Sequence, residues 1–153
     1  MIMQMSIVIP AKNESATISA TLALIRKHCP SSTEVEILVI NDGSTDDTPQ
    51  LAEEAGASVI DHPYSKGNGA AIKTGARVAR SDVIVFMDAD GQHDPADIPH
   101  LLEKLYEGYD MVVGARQQGS QASFGRGLAN HLYNRLATYM TGHRVEDLTS
   151  GFR

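Results

Sequence analysis

Five short runs of aliphatic and β-branched residues punctuate the chain: Met5–Ile9, Val35–Ile40, Ala57–Ile60, Asp82–Met87 and Asp110–Gly114. Most are nearly continuous in apolar residues, the pattern of strands buried on both faces. Helical periodicity fills the intervals. Ile18, Leu22 and Ile25 recur at helical spacing, as do Ile98, Leu101, Leu102 and Leu105 behind an Asp94-Pro95 start. Further helices are expected from Thr48 onward and after Gly67-Asn68-Gly69. Phe124, Leu128, Leu132, Leu136 and Met140 step by four along what should be one amphipathic helix, as core residues and not as a cofactor box. The rhythm predicts an α/β fold, a mainly parallel sheet flanked by helices, with ligands at the carboxyl ends of the strands.

Composition adds limits. A chain of 153 residues, 42% hydrophobic and 21% charged, is expected to form one soluble domain. Its net charge of −6 argues against general nucleic-acid binding, which needs a basic surface. Residues 1–115 hold 8 Lys/Arg against 17 Asp/Glu, whereas residues 116–153 hold 5 Arg against 2 acids. Arg116, Arg126, Arg135, Arg144 and Arg153 suit phosphate or pyrophosphate oxygens, although each also reads as part of a solvated helix face. Cys29 is the sole cysteine, which excludes a disulfide framework and fits a reducing compartment. Met1–Met5 runs straight into a strand with no signal-peptide pattern, and no apolar run reaches membrane-spanning length. The chain is therefore expected in the cytoplasm or at the cytoplasmic face of a membrane.

Three strand exits carry the candidate chemistry. The run Val83–Met87 delivers Asp88 and Asp90 to a strand end, where two carboxylates spaced i, i+2 can converge on Mg²⁺ or Mn²⁺, with Gln92 as a neutral oxygen ligand. An acidic turn with Gly91 at positive φ is the plainer alternative. His93 can ligate the metal, donate to phosphate or cap the next helix. At the second exit, Asp42 can accept from a base imide or a ribose hydroxyl, and Ser44 and Asp46 can shape the turn or cap the helix from Thr48. At the first, Pro10 stiffens the exit, and Glu14 either meets nucleotide or sits in the first turn of the following helix. Lys66-Gly67-Asn68-Gly69 lacks the third glycine of a dinucleotide fingerprint, yet its backbone N–H groups can approach a phosphate beside Lys66.

Together Ile9-Pro10-Ala11-Lys12-Asn13-Glu14, Asn41-Asp42-Gly43-Ser44-Thr45-Asp46 and Asp88-Ala89-Asp90-Gly91-Gln92-His93 resemble family 2 glycosyltransferases in order and spacing. His62–Gly75 resembles the family's glycine-containing helix entry, and Val112–Arg116 its next strand end. Asp147–Arg153 resembles the polyprenyl-phosphate branch typified by dolichol-phosphate mannosyltransferase. The resemblance implies a GT-A, Rossmann-like fold, a UDP- or GDP-linked sugar donor, a Mg²⁺ or Mn²⁺ cofactor and inversion at the anomeric carbon. It places Pro10, Lys12 and Glu14 around the nucleotide, with Ile40 and Asp42 beside base and ribose. Asp88, Ala89, Asp90 and Gln92 would hold nucleotide and metal. Asp88, Asp90 and Arg116 form the implied catalytic set, and Arg116, Arg126, Ser150 and Arg153 the implied acceptor or phosphate set. Lys12 stands where that branch usually has an aromatic residue, so base and sugar stay open.

A polyprenyl phosphate acceptor is already anionic and needs no general base, and the late arginines can hold it in line. A sugar-hydroxyl acceptor would need one, and Asp147 is the candidate, although it reads better as a structural partner. Extension of a saccharide and a silent nucleotide-sugar-binding module are the alternatives. Residues 1–153 are expected to be a single catalytic domain, with 1–115 binding the donor and 116–153 opening the acceptor part. The last motif, Thr149-Ser150-Gly151-Phe152-Arg153, is expected to be cut short.

Overall fold

The computed structural model describes residues 3–114, 135 and 152. Within them the chain runs β1 (Met3–Ala11), α1 (Ile18–His28), β2 (Thr33–Asn41), α2 (Thr48–Glu54), β3 (Ser58–Asp61), α3 (Asn68–Val78) and β4 (Val83–Phe86). A 3-10 turn at Pro95–Asp97 then leads into α4 (Ile98–Tyr106). The strands form one parallel sheet in the order β3-β2-β1-β4. Ile7 pairs with Ile37 on one side and Val85 on the other, so β1 is central. The chain moves from β1 outward through β2 and β3, then returns to the far side of β1 as β4. That reversal opens a crevice at the carboxyl ends of the central strands.

Strand alternation sorts the core into two layers. Met5, Ile7, Ile9 and Ala11 of β1 pack with Ile18, Leu22 and Ile25 of α1, Ala52 of α2, and Ile98 and Leu102 of α4. Val8, Leu38 and Ile40 point the other way, onto Ala71 of α3. Ile7, Ile9, Ile18, Leu22 and Ile40 are fully buried, and each such side chain contributes roughly 1.5–3 kcal/mol of burial free energy. Gly75 lets α3 approach β1 closely, because a Cβ there would overlap Val8 Cγ1.

One expected strand does not form. Residues 110–114 make no ladder with β4, and an apolar cavity of about 360 Å³ separates Asp110–Val112 from that strand and from α4. The Gly114 N–H donates instead to the Phe152 carbonyl at 2.9 Å. No helix among the described residues is long and apolar enough to cross a membrane. The helix pattern from Phe124, together with Arg116, Arg126, Asp147, Ser150 and Arg153, lies outside the described residues.

Candidate active site

The three strand exits converge on a cleft of about 360 Å³ lined by Pro10, Lys12, Glu14, Asp42, Asp88, Ala89 and Asp90, with Ser65, Gly67 and Asn68 closing the α3 side. Two expected nucleotide-site residues are not in its wall. Ile40 is fully buried beneath it, against α3. Gln92 is exposed, and its backbone N–H donates to Asp90 Oδ1 at 2.9 Å.

The acidic loop is held from below. Asp88 N–H donates to His93 Nδ1 at 3.0 Å, which leaves the imidazole proton on Nε2, 3.8 Å from Asp88 Oδ2. His93 is buried, and its ring stacks on Phe152 at 5.3 Å. It is thus an anchor of the loop, a role outside the three open to it in the sequence. From the other side Thr17, the N-cap residue of α1, donates its hydroxyl to the Ala89 carbonyl at 2.8 Å. Nothing in the sequence marks Thr17 for this contact across 72 positions. Gly91 adopts φ 76°, closing the acidic turn that was the plainer alternative. Turn and metal site are compatible here, since the turn leaves Asp90 exposed and Asp88 part-exposed at 37%.

The donor set fits a hard divalent ion in part. Asp88 and Asp90 share the cleft, and their hard oxygens suit Mg²⁺ or Mn²⁺ while leaving positions for phosphate oxygens. No group of three or more His, Cys, Asp or Glu among the described residues could hold a metal alone. The remaining ligands would have to come from water and from the diphosphate itself.

Glu14 belongs to the cleft and not to a helix. Its carbonyl accepts from Thr17 and Ile18 just ahead of α1, and its N–H donates to Thr48 Oγ1 at 2.8 Å. Asp46 is structural: Oδ1 takes the Thr48 hydroxyl and N–H, and Oδ2 takes the Ser15 N–H at 3.2 Å. The Thr48 hydroxyl is the main cause that lowers its pKa to about 2. Asn13, at φ 56°, accepts from Thr45 N–H at 2.8 Å and so ties the first exit to the second.

Asp42 is buried in the cleft wall and engaged at every lone pair. Oδ1 accepts from His62 Nδ1 at 2.7 Å and Lys66 N at 2.8 Å; Oδ2 accepts from Ser65 Oγ and Gly67 N, both at 2.8 Å. Burial pushes its pKa up, but these four hydrogen bonds outweigh it and hold the carboxyl well below the usual carboxylate range. The N–H groups of Lys66 and Gly67, expected to approach a phosphate, already cradle this internal anion. Lys66 Nζ lies over the Tyr64 ring at 5.5 Å.

The crevice lies at the switch point of an α/β sheet, where this class of protein binds its ligands, with paired carboxylates on one wall. The chain belongs to glycosyl transferase family 2, whose profile matches residues 6–153. It is 35% identical over 155 residues to an uncharacterized protein of Methanocaldococcus jannaschii, covering 96% of this chain and 62% of that one. It is 36% identical over 151 residues to an undecaprenyl-phosphate 4-deoxy-4-formamido-L-arabinose transferase of Klebsiella pneumoniae, covering 94% of this chain and 46% of that one. Glucosyl-3-phosphoglycerate synthase from Mycobacterium tuberculosis, solved in complex with UDP, superposes with a TM-score of 0.77 at 27% identity, over 98% of this chain and 55% of that one. The same enzyme, solved with Mn²⁺, UDP and glucosyl-3-phosphoglycerate, gives a TM-score of 0.75 at 26% identity, with 98% and 55% covered. The expected GT-A fold is therefore present, in a chain that spans about half to three-fifths of the length of these relatives.

Proposed function

We propose that this chain is the donor-binding part of an inverting glycosyltransferase that moves a sugar from a nucleotide-diphosphate sugar to a polyprenyl phosphate. The observation that carries the reading is the meeting of Pro10, Lys12, Glu14, Asp88, Ala89 and Asp90 in one cleft at the sheet's switch point. Pro10, Lys12 and Glu14 would flank the nucleoside, and Asp88 and Asp90 would face its diphosphate. Mg²⁺ or Mn²⁺ held by these two aspartates would supply charge neutralisation for the leaving diphosphate. Mn²⁺ and UDP in the Mycobacterium tuberculosis synthase support that cofactor and favour uridine over guanosine in the donor. The polyprenyl phosphate acceptor is supported by the Klebsiella pneumoniae relative, named for undecaprenyl phosphate. Residues 116–153 would then open the acceptor part. Arg116, Arg126, Ser150 and Arg153 would hold the lipid phosphate there at the cytoplasmic membrane face.

A second reading has one observation in its favour: the synthase, similar over 98% of this chain, is solved with a water-soluble phosphorylated product. A small phosphorylated acceptor would use the same donor cleft. The test is transfer from radiolabelled UDP-sugars with Mn²⁺, offered undecaprenyl phosphate or 3-phosphoglycerate. Label partitioning into the organic phase is the expected result; label confined to the aqueous product would overturn the lipid acceptor.

A further inference from the structure

His62 sits just past β3, at the start of the His62–Gly75 segment whose Ser65, Gly67 and Asn68 close the cleft, and is buried at 6% exposure. Both ring nitrogens are engaged: Nδ1 lies 2.7 Å from Asp42 Oδ1, and Nε2 lies 2.9 Å from Thr74 Oγ1 in α3. An ionised Asp42 can only accept, so Nδ1 carries the proton, and in the neutral ring Nε2 accepts from the Thr74 hydroxyl. The chain of contacts continues on the other side. Asp42 takes the Ser65 hydroxyl, and Ser65 Oγ in turn accepts from Lys12 Nζ at 3.1 Å.

We propose that His62 is a positioning residue for the nucleotide cleft: braced by Thr74, it fixes Asp42 as the internal anchor of the Ser65–Gly67 turn, and that turn sets Lys12. The inference rests on the donor-cleft reading above. Four donors on two oxygens hold the Asp42 carboxylate in one orientation. The Lys12 ammonium and Ser65, set by this anchor, are both exposed in the cleft. Loss of His62 would leave a buried carboxylate short of one of its two side-chain donors, and the turn would loosen with it.

The test is calorimetric titration of UDP with Mn²⁺ into the wild type, His62→Ala, His62→Asn and Thr74→Val, with amide hydrogen exchange followed over residues 64–70. The asparagine amide can still donate to Asp42, whereas alanine cannot. His62→Ala is expected to weaken UDP binding about tenfold and His62→Asn less than about threefold, as for loss and retention of a hydrogen bond to a charged group. Exchange at Lys66 and Gly67 should speed up in His62→Ala while the amides of β1 keep their protection. Wild-type affinity together with unchanged exchange at these two amides in His62→Ala would overturn the proposal, as would equal weakening in the alanine and asparagine variants. Should His62→Ala fail to fold, Thr74→Val decides by the same exchange readout, and unchanged exchange there overturns the proposal. If the wild type binds no UDP, the donor-cleft reading fails, and the exchange data still judge the anchor.

Discussion

Asp42 and Asp46 lie four residues apart on the same loop and are both pinned in their ionised forms, through different partners. The folded pKa of Asp46 is about 2 and that of Asp42 is lower still, against about 3.9 in an unfolded chain. A depressed carboxylate stabilises the fold fully above the unfolded value and loses that contribution as pH falls through the folded one. Stability should therefore decline as pH drops below about 4 and continue to decline past 2. Chemical denaturation from pH 6 down to pH 2 checks this, and Asp46→Asn should flatten part of the slope. The residue scale is also where the sequence was least informative. Asp88 and Asp90 were legible because a hydrophobic strand delivers them, whereas the partners of Asp42 are spread over residues 62–67 and meet it only after β2 and β3 pair. His93 and Thr17 were opaque for the same reason: one stacks on Phe152, and the other reaches Ala89, contacts with no local pattern.

Among the elements, the parallel strands and their helices followed the apolar runs closely. β1, β2, β3 and β4 each overlap their expected segments, because strands buried on both faces leave continuous hydrophobic signatures. The segment at 110–114 carries a similar signature but is not in a strand ladder, since apolar character alone does not fix pairing. Helix α3 is set by a subtler feature. Gly75 faces Val8 with no room for a Cβ, so Gly75→Ala should lower stability by about 1–3 kcal/mol despite alanine's better helix propensity. For a domain of this size that is a fall in Tm of roughly 2–4 °C per kcal/mol, readable by circular dichroism. An unchanged Tm would mean that α3 can shift off β1 freely.

At the scale of the whole molecule, the sheet order brings motifs from positions 10–14, 42 and 88–90 into one crevice. The acidic balance of residues 1–115 would repel a diphosphate unless a cation intervened, and this supports the proposal of a metal at Asp88 and Asp90. The measurement that bears on this most directly is titration of UDP into the protein with Mn²⁺, with EDTA in its place, and with Mn²⁺ in Asp90→Ala. Asp90 is exposed and its described contact is the Gln92 N–H, so the variant should stay folded. The account predicts saturable binding with Mn²⁺ and none in EDTA or in the variant. Equal UDP affinity in all three would contradict it.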